Sequence, residues 1–375
     1  MAKRAVVAST VVLGLMAVVI LGLLCDGGYY SSDDVTVVMG GTEPQRPVIE
    51  NDMDGIERIS PRTRGECHPQ KQIVFLKTHK TASSTTAGII GLFAYKNNLT
   101  MAVPPEGQAY MDRTKLFQRD MIARLRKSAL SWRDTVGFNV FSCHARYNRK
   151  EMAAIVPKAK YITILRDPCK QLPSALVYYK FDLRLERKFD RQGRTYSNVF
   201  EEFMDDPAGN MAIIESHTMA HVMHNQQFFD LGLDTKYSTD WVRIDKTIAK
   251  LDKELDLVMI TEYYDESLIL LRDLLCWTTQ DILYTKRMVR NSTSSIQVRP
   301  EMRTKIRQWN GADTHLYEHY NRTLWQKIAA YGPRFNDELQ KFRDRLKNVT
   351  EEETGSHRIL MNKMAKRMKS TGIYA

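Results

Sequence analysis

Short apolar runs separated by longer amphipathic stretches set the frame of this chain. Ile73 to Leu76, Val136 to Ser142, Tyr161 to Leu165 and Leu257 to Thr261 are bounded by polar residues and are too short for helices, so they predict buried strands. Between and after them, Ala87 to Asn97, Gln171 to Tyr179, Thr247 to Leu255 and Glu266 to Trp277 predict helices. Met111 to Ser131, with Leu116, Met121, Ile122, Leu125 and Leu130 among many charges, reads as an amphipathic helix, and Met211 to Phe229 as another. Trp309 to Tyr331 and Pro333 to Leu346 are expected to be C-terminal helices. The charged stretch from Phe181 to Asn198 reads as an exposed insertion. Repeated alternation of strand and helix from Ile73 to Trp277 predicts an α/β fold whose central, mainly parallel sheet is flanked by helices.

The chain's ends have a different character. Residues 5–25 contain no charge, and at about 1.5 Å per residue they would span roughly 31 Å, the thickness of a bilayer core. Lys3 and Arg4 just before them predict a cytoplasmic N-terminus of residues 1–4 and a type II signal anchor, with everything after Cys25 lumenal. Residues 26–70 lack apolar periodicity and read as a stem, residues 71–347 as the folded domain, and residues 348–375 as a basic tail that is either an exposed helix or disordered. Sequons at Asn98, Asn291, Asn321 and Asn348 agree with a secretory location. So do Cys67, Cys143, Cys169 and Cys276, an even lumenal set with room for up to two disulfides whose pairing the spacing leaves open.

Composition narrows the partners. With 43% hydrophobic and 26% charged residues the chain is globular, and a formal charge of +11 favours an anionic ligand, acidic glycans or a membrane surface. No zinc-finger spacing, RNP-like aromatic motif or basic zipper is present, so nucleic acid is not an expected partner.

The stretch with most chemistry runs from Ile73 to Thr86, IVFLKTHKTASSTT. A strand breaks into a loop of lysines and hydroxyls just before a helix starts, and the first turn of a helix offers free N–H groups at the positive end of its dipole. Lys77 and Lys80 add charge; Thr81, Ser83, Ser84, Thr85 and Thr86 add hydroxyl donors. The loop has no glycine and so is not a Walker A motif. The same residues would also make an ordinary capped helix with two solvated lysines.

Two other strand ends carry candidates. His144 follows the second run, and Arg166, in ILRDP, follows the third, with Ser174 on the next helix. Glu262 ends the fourth run and is a candidate to orient His144, to bind sugar hydroxyls or to serve structurally. His217, His221 and His224 would share a helix face, yet no H-E-x-x-H and no further carboxylate ligand accompanies them, so no metal is expected.

Several segments, KTHKTASST, FNVFSCHARY, ILRDP with Ser174, LVMITEYYDESLILLRDLLCW and WNGADTHLYEHYN, together resemble the galactose 3-O-sulfotransferases over about residues 73–343. The resemblance implies a P-loop-like sulfotransferase fold in a Golgi type II membrane enzyme. It also implies transfer of sulfonate from 3′-phosphoadenosine 5′-phosphosulfate to the 3-hydroxyl of galactose in glycolipids or glycoproteins. Lys77, Lys80, Thr81, Ser83, Ser84 and Thr85 then match the loop that holds the donor's phosphosulfate, Arg166 and Ser174 the pair for its 3′-phosphate, and His144 the general base. Lys170 stands where relatives are expected to have arginine, and the stretch from about Phe181 to Asn198 also departs.

Sulfuryl transfer is an in-line displacement in which positioning and charge stabilisation do most of the work. Histidine suits removal of the acceptor's proton, which assigns His144 as base. A lysine beside the bridging oxygen stabilises the leaving phosphate, which assigns Lys80, with Lys77 second. The alternatives are a sulfotransferase for a uronic acid or hexosamine of a glycosaminoglycan, and a nucleotide-binding kinase lacking the expected Mg²⁺ carboxylates.

Overall fold

The computed structural model describes residues 67–374 apart from 106–107, 109, 113, 286–295, 297, 351–352 and 355–356. The expected anchor at 5–25, the stem to residue 66 and the sequon at Asn291 lie outside the described residues. Among those that are described, no helix is long and apolar enough to cross a membrane.

Five parallel strands form one sheet in the order β2-β3-β1-β4-β5: β1 (Ile73–Leu76), β2 (Met101–Ala102), β3 (Val140–Cys143), β4 (Lys160–Leu165) and β5 (Leu257–Ile260). Their side chains are buried on both faces, which is why each reads as an unbroken apolar run. The sheet is the expected one, with the two-residue β2 added at an edge. β1 is the central strand, and the chain turns from one side of it to the other between β3 and β4; ligands bind outside the carboxyl ends of strands at such a switch point. Leu76 pairs in register with both Cys143 and Thr163, so Lys77 and His144 emerge side by side while β4 runs two residues further to Arg166.

The helices depart from the sequence reading where tertiary contacts overrule local pattern. α1 (Ser83–Lys96) starts four residues before Ala87, so Ser83 to Thr86 form its first turn. Residues 111–131 are mostly irregular, with Leu116 bridged to Arg146, and α2 (Lys127–Thr135) covers only their end. α3 (Arg149–Ile155) leads to β4, after which α4 (Pro168–Tyr178) is started by Asp167, whose carboxylate caps the Cys169 N–H at 2.9 Å.

The expected exposed insertion is instead α5 (Phe181–Arg191), which buries Phe181, Leu185 and Phe189. With α6 (Val199–Asp205), α7 (Pro207–Ile214) and part of α11 (Pro300–Trp309), it encloses a second apolar cluster beside the sheet's own core. The helix expected from Met211 to Phe229 is broken: α7 ends at Ile214, and α8 (Gln226–Asp230) begins after a 3₁₀ turn. His217 Nδ1 accepts the Met219 N–H, and Asn225 takes a left-handed conformation at φ 47°; both interrupt the helical ladder. Asp313 accepts the Gln227 and Phe228 N–H groups, starting α8 afresh.

Beyond α9 (Trp241–Glu254) and α10 (Tyr264–Leu274), Asp313 belongs to α12 (Gly311–Tyr331), followed by α13 (Arg334–Leu346). The C-terminal segment is a helix, one of its two expected forms, but packed against the domain and not exposed. In α14 (His357–Ser370) the Leu360 side chain packs on Gly91, Met364 and Met368 are buried, and the Tyr374 hydroxyl donates to Met101 O and accepts from Val103 N–H. Met364 and Met368 face the protein and the lysines face water, an amphipathic pattern that a basic composition conceals. Cys67 and Cys276 form a disulfide, while Cys143 and Cys169 are buried thiols whose pKa values burial pushes up to about 11 and about 12.

Candidate active site

Lys77, His144, Arg166 and Glu262 all leave the carboxyl ends of strands, so the parallel sheet gathers them without help from local sequence. The loop from Lys77 to Ala82 lies among them. Lys80 and Ala82 have φ of 62° and 66°, left-handed values that cost a non-glycine residue about 1 to 2 kcal/mol each.

The loop's hydroxyls hold this conformation in place. Thr78 bonds the Thr81 hydroxyl at 2.6 Å and donates to Ile164 O; Thr81 and Ser83 donate to Thr78 O at 3.2 and 2.7 Å. From outside, the Thr261 hydroxyl donates to Thr81 O at 2.8 Å and the Arg166 guanidinium to Lys80 O at 3.1 Å. Thr81 and Ser83 are therefore buried builders of the loop, while Ser84 is exposed and Thr85 half-buried at the helix start. Of the expected hydroxyl donors, these last two open outward; Thr86 turns inward to the Tyr264 hydroxyl.

The two lysines occupy different surroundings. Lys77 is enclosed, with Nζ 3.4 Å from Ser84 Oγ, and burial lowers its pKa from the ordinary 10.5 to about 8. Lys80 extends over the Tyr178 ring at 3.6 Å, one turn beyond Ser174 on α4. Because an anion favours the protonated form of Lys77, the affinity of an anion held at this loop is expected to fall above about pH 8, by up to tenfold per unit, with one proton taken up on binding. Over the same range the ligand-free protein gains stability, since the unfolded chain then holds the extra proton. Calorimetry of pyrophosphate binding in buffers of differing ionisation enthalpy measures that uptake, and its absence above pH 8 would show that Lys77 does not meet the anion.

Arg166 is held by its backbone, which exchanges two hydrogen bonds with the Gln227 amide at 2.7 and 2.8 Å. Its Nε is buried with no hydrogen-bond partner among the described residues, a guanidinium donor left for an anion. Glu262 accepts from the Asp167 N–H at 3.2 Å and the Tyr317 hydroxyl at 3.3 Å and lies 3.9 Å from Lys170; burial raises its pKa against the pull of Arg166 and Lys170. It therefore braces the Arg166 turn, and His144 is oriented by another group.

That group is the main chain. His144 Nδ1 lies 3.0 Å from Lys77 O, and a carbonyl only accepts, so Nδ1 carries a proton, and in the neutral ring Nε2 holds the lone pair. His144 is half-exposed and stacks at 4.2 Å on His79, whose own Nδ1 donates to Asp230 at 2.8 Å. Gln226 donates to the same carboxylate at 2.7 Å. His79, Asp230, Gln226 and Gln227 were not anticipated. His79 sits inside the loop motif and carried a usable signal; the others arrive from a short helix more than a hundred residues away in sequence.

His217, His221 and His224 do not share a helix face. His217 meets Phe181 edge-on, His221 lies 6.4 Å from His79, and His224 stacks on Trp309 at 4.1 Å. No cluster suited to a metal is present among the described residues.

The arrangement can hold an anion at the loop, a second one at Arg166, and a hydroxyl at His144. A sequence model of the galactose-3-O-sulfotransferase family matches residues 2–372. Human galactosylceramide sulfotransferase is 35% identical over 72% of this chain and 60% of its own length. The mouse galactosylceramide sulfotransferase is 33% identical over 77% and 63%, and mouse galactose-3-O-sulfotransferase 2 is 31% identical over 75% and 69%. The chain thus spans about three fifths of the length of the galactosylceramide sulfotransferases it matches.

Proposed function

The chain belongs to the galactose-3-O-sulfotransferase family, and from that premise we propose that it transfers the sulfonate of 3′-phosphoadenosine 5′-phosphosulfate to the 3-hydroxyl of a galactose. The observation that carries the reading is the convergence of Lys77, Lys80 and Arg166 with a histidine of defined tautomer at the carboxyl ends of the inner strands.

The residues present fit the donor. Its two anionic ends need separate cationic seats, and the buried Nε of Arg166 is an orphan that a 3′-phosphate would satisfy. Ser174 supplies a hydroxyl on the adjoining helix, and the first turn of α1 with Lys77, Ser84 and Thr85 receives the phosphosulfate. His144 Nε2 takes the acceptor proton, and Lys80 stabilises charge on the departing phosphate. A radiolabelled-donor assay against a panel of galactosides, with linkage analysis of the product, tests this. Label on galactose C3 supports it; label only on uronic acid or hexosamine defeats it.

The same proposal includes residues 5–25 as a type II Golgi anchor with the domain in the lumen. The Cys67–Cys276 disulfide supports an oxidising compartment. N-glycans are expected on Asn98 and Asn348, both exposed beyond helix ends, and not on Asn321, which is half-buried within α12 with its Oδ1 enclosed. Peptide mass spectrometry of the secreted-pathway protein checks this, and an occupied Asn321 would contradict it.

A further inference from the structure

α5 separates its charges into two rows. Lys180, which immediately precedes the helix, and Arg184, Arg187 and Arg191 follow at spacings of four, three and four with Lys188 beside them, so the cations share one face. Asp182, Glu186 and Asp190 recur every four residues on another face, and Phe181, Leu185 and Phe189 fill the third. A helix whose charges merely keep it soluble interleaves the signs so that they pair at i, i+4. Here every charged pair at i, i+4 is of like sign, and Arg187 with Asp190 is the opposite pair at i, i+3.

Among the described residues, several carboxylates of the adjoining elements are engaged elsewhere. Glu202 pairs with Arg194, Glu201 with Arg299 and Asp205 with Lys305, and Asp190 accepts from the Tyr196 hydroxyl. The five cations are exposed and, with Tyr179, line a cleft of about 450 Å³. Tyr179 adjoins Tyr178, over whose ring the Lys80 ammonium sits, so the cleft opens next to the proposed transfer site.

We propose that this cleft binds an acidic saccharide, a carboxylate- or sulfate-bearing sugar of the acceptor glycan set inward from the galactose that receives sulfonate. The basic row runs roughly 16 Å from Lys180 to Arg191, a length that suits a chain of sugars better than a single anion. Tyr179 offers an aromatic wall against which a sugar ring can pack. An anionic membrane is the poorer fit, because the surface is concave and Leu183 is the exposed large apolar side chain it presents, whereas interfacial helices insert a full apolar face. The inference rests on the galactose-transfer reading and names the substrate class for it.

The test uses the full-length chain and two galactose-terminated oligosaccharides, identical except that one carries a glucuronate on the sugar preceding the galactose. The wild type is expected to show kcat/KM about fivefold to tenfold higher on the acidic acceptor at low ionic strength, and the gap should shrink with added salt. An Arg187→Ala/Arg191→Ala double variant should lower the acidic acceptor to the rate of the neutral one, with an unchanged melting temperature, and the corresponding lysine variant should keep most of the preference. Equal rates on the two acceptors in the wild type would overturn the proposal, as would a double variant slowed alike on both. Binding to phosphatidylserine vesicles that depends on Arg187 and Arg191, without binding of the acidic oligosaccharide, would overturn it in favour of a membrane. Calorimetric binding of the acidic oligosaccharide needs no turnover. If it is seen while no galactoside is ever sulfated, the cleft assignment stands and the transfer reading falls.

Discussion

Replacing His144 by alanine is expected to lower kcat by about 10²- to 10⁴-fold while donor affinity changes by no more than a few-fold. The ring is held by its Nδ1–H bond to Lys77 O, so Nε2 is the edge that, on the proposed mechanism, would meet an acceptor hydroxyl. Because the anchor is a backbone carbonyl at the end of β1, the base is positioned by the same strand that leads into the donor loop. The His79–Asp230 pair stacked behind it would support an imidazolium at His144 if that ring takes the proton as proposed. Asp230→Asn keeps the shape and removes the charge, so it should cost less, about tenfold. Steady-state kinetics with calorimetric binding of 3′-phosphoadenosine 5′-phosphate separates the effects. An alanine variant that transfers sulfonate at the normal rate would remove His144 from the chemistry, and loss of the acid limb of the kcat/KM profile in that variant would strengthen the assignment.

Lys80→Ala should lower kcat by about 10²- to 10³-fold, the scale of losing one preorganised donor to developing negative charge. Its ammonium reaches outward from a left-handed backbone position to lie over Tyr178 beside the Ser174 face of α4, where an anion bridging the loop and Arg166 would pass. Lys77 is buried within the loop and close to Ser84, which suits binding more than response to a change of charge. Lys77→Ala is accordingly expected to raise the donor's dissociation constant more than it lowers turnover. The reverse pattern, turnover lost at Lys77 and affinity lost at Lys80, would exchange the two roles. Lys80→Arg keeps the charge and should recover part of the rate, which a purely steric defect would not allow.

Where the two kinds of information diverged, the cause was contact between distant residues. The break after Ile214 came from His217, Asn225 and the reach of Asp313 to the start of α8, and Glu262 turned from His144 toward Asp167 and Tyr317. The stretch from Phe181 to Arg191 looked solvated because its cations outnumber its apolar residues, although Phe181, Leu185 and Phe189 keep helical spacing. Period four among phenylalanines and leucine was the better signal than charge.

The amino-acid sequence by itself determined the parallel α/β sheet, since strands buried on both faces must be apolar throughout, and it determined that Lys77, His144 and Arg166 sit at strand ends. It also carried the motifs by which the family is recognised. Only the tertiary structure decided which atoms do what: that the hydroxyls of Thr81 and Ser83 hold the loop's left-handed turns, that His144 Nδ1 is the protonated nitrogen, and that His79 and Asp230 stand behind it. The reason is that strand burial is a property of a few consecutive residues, whereas a hydrogen-bond partner, a tautomer or a stacked ring depends on groups that only folding brings within 3 to 4 Å of one another.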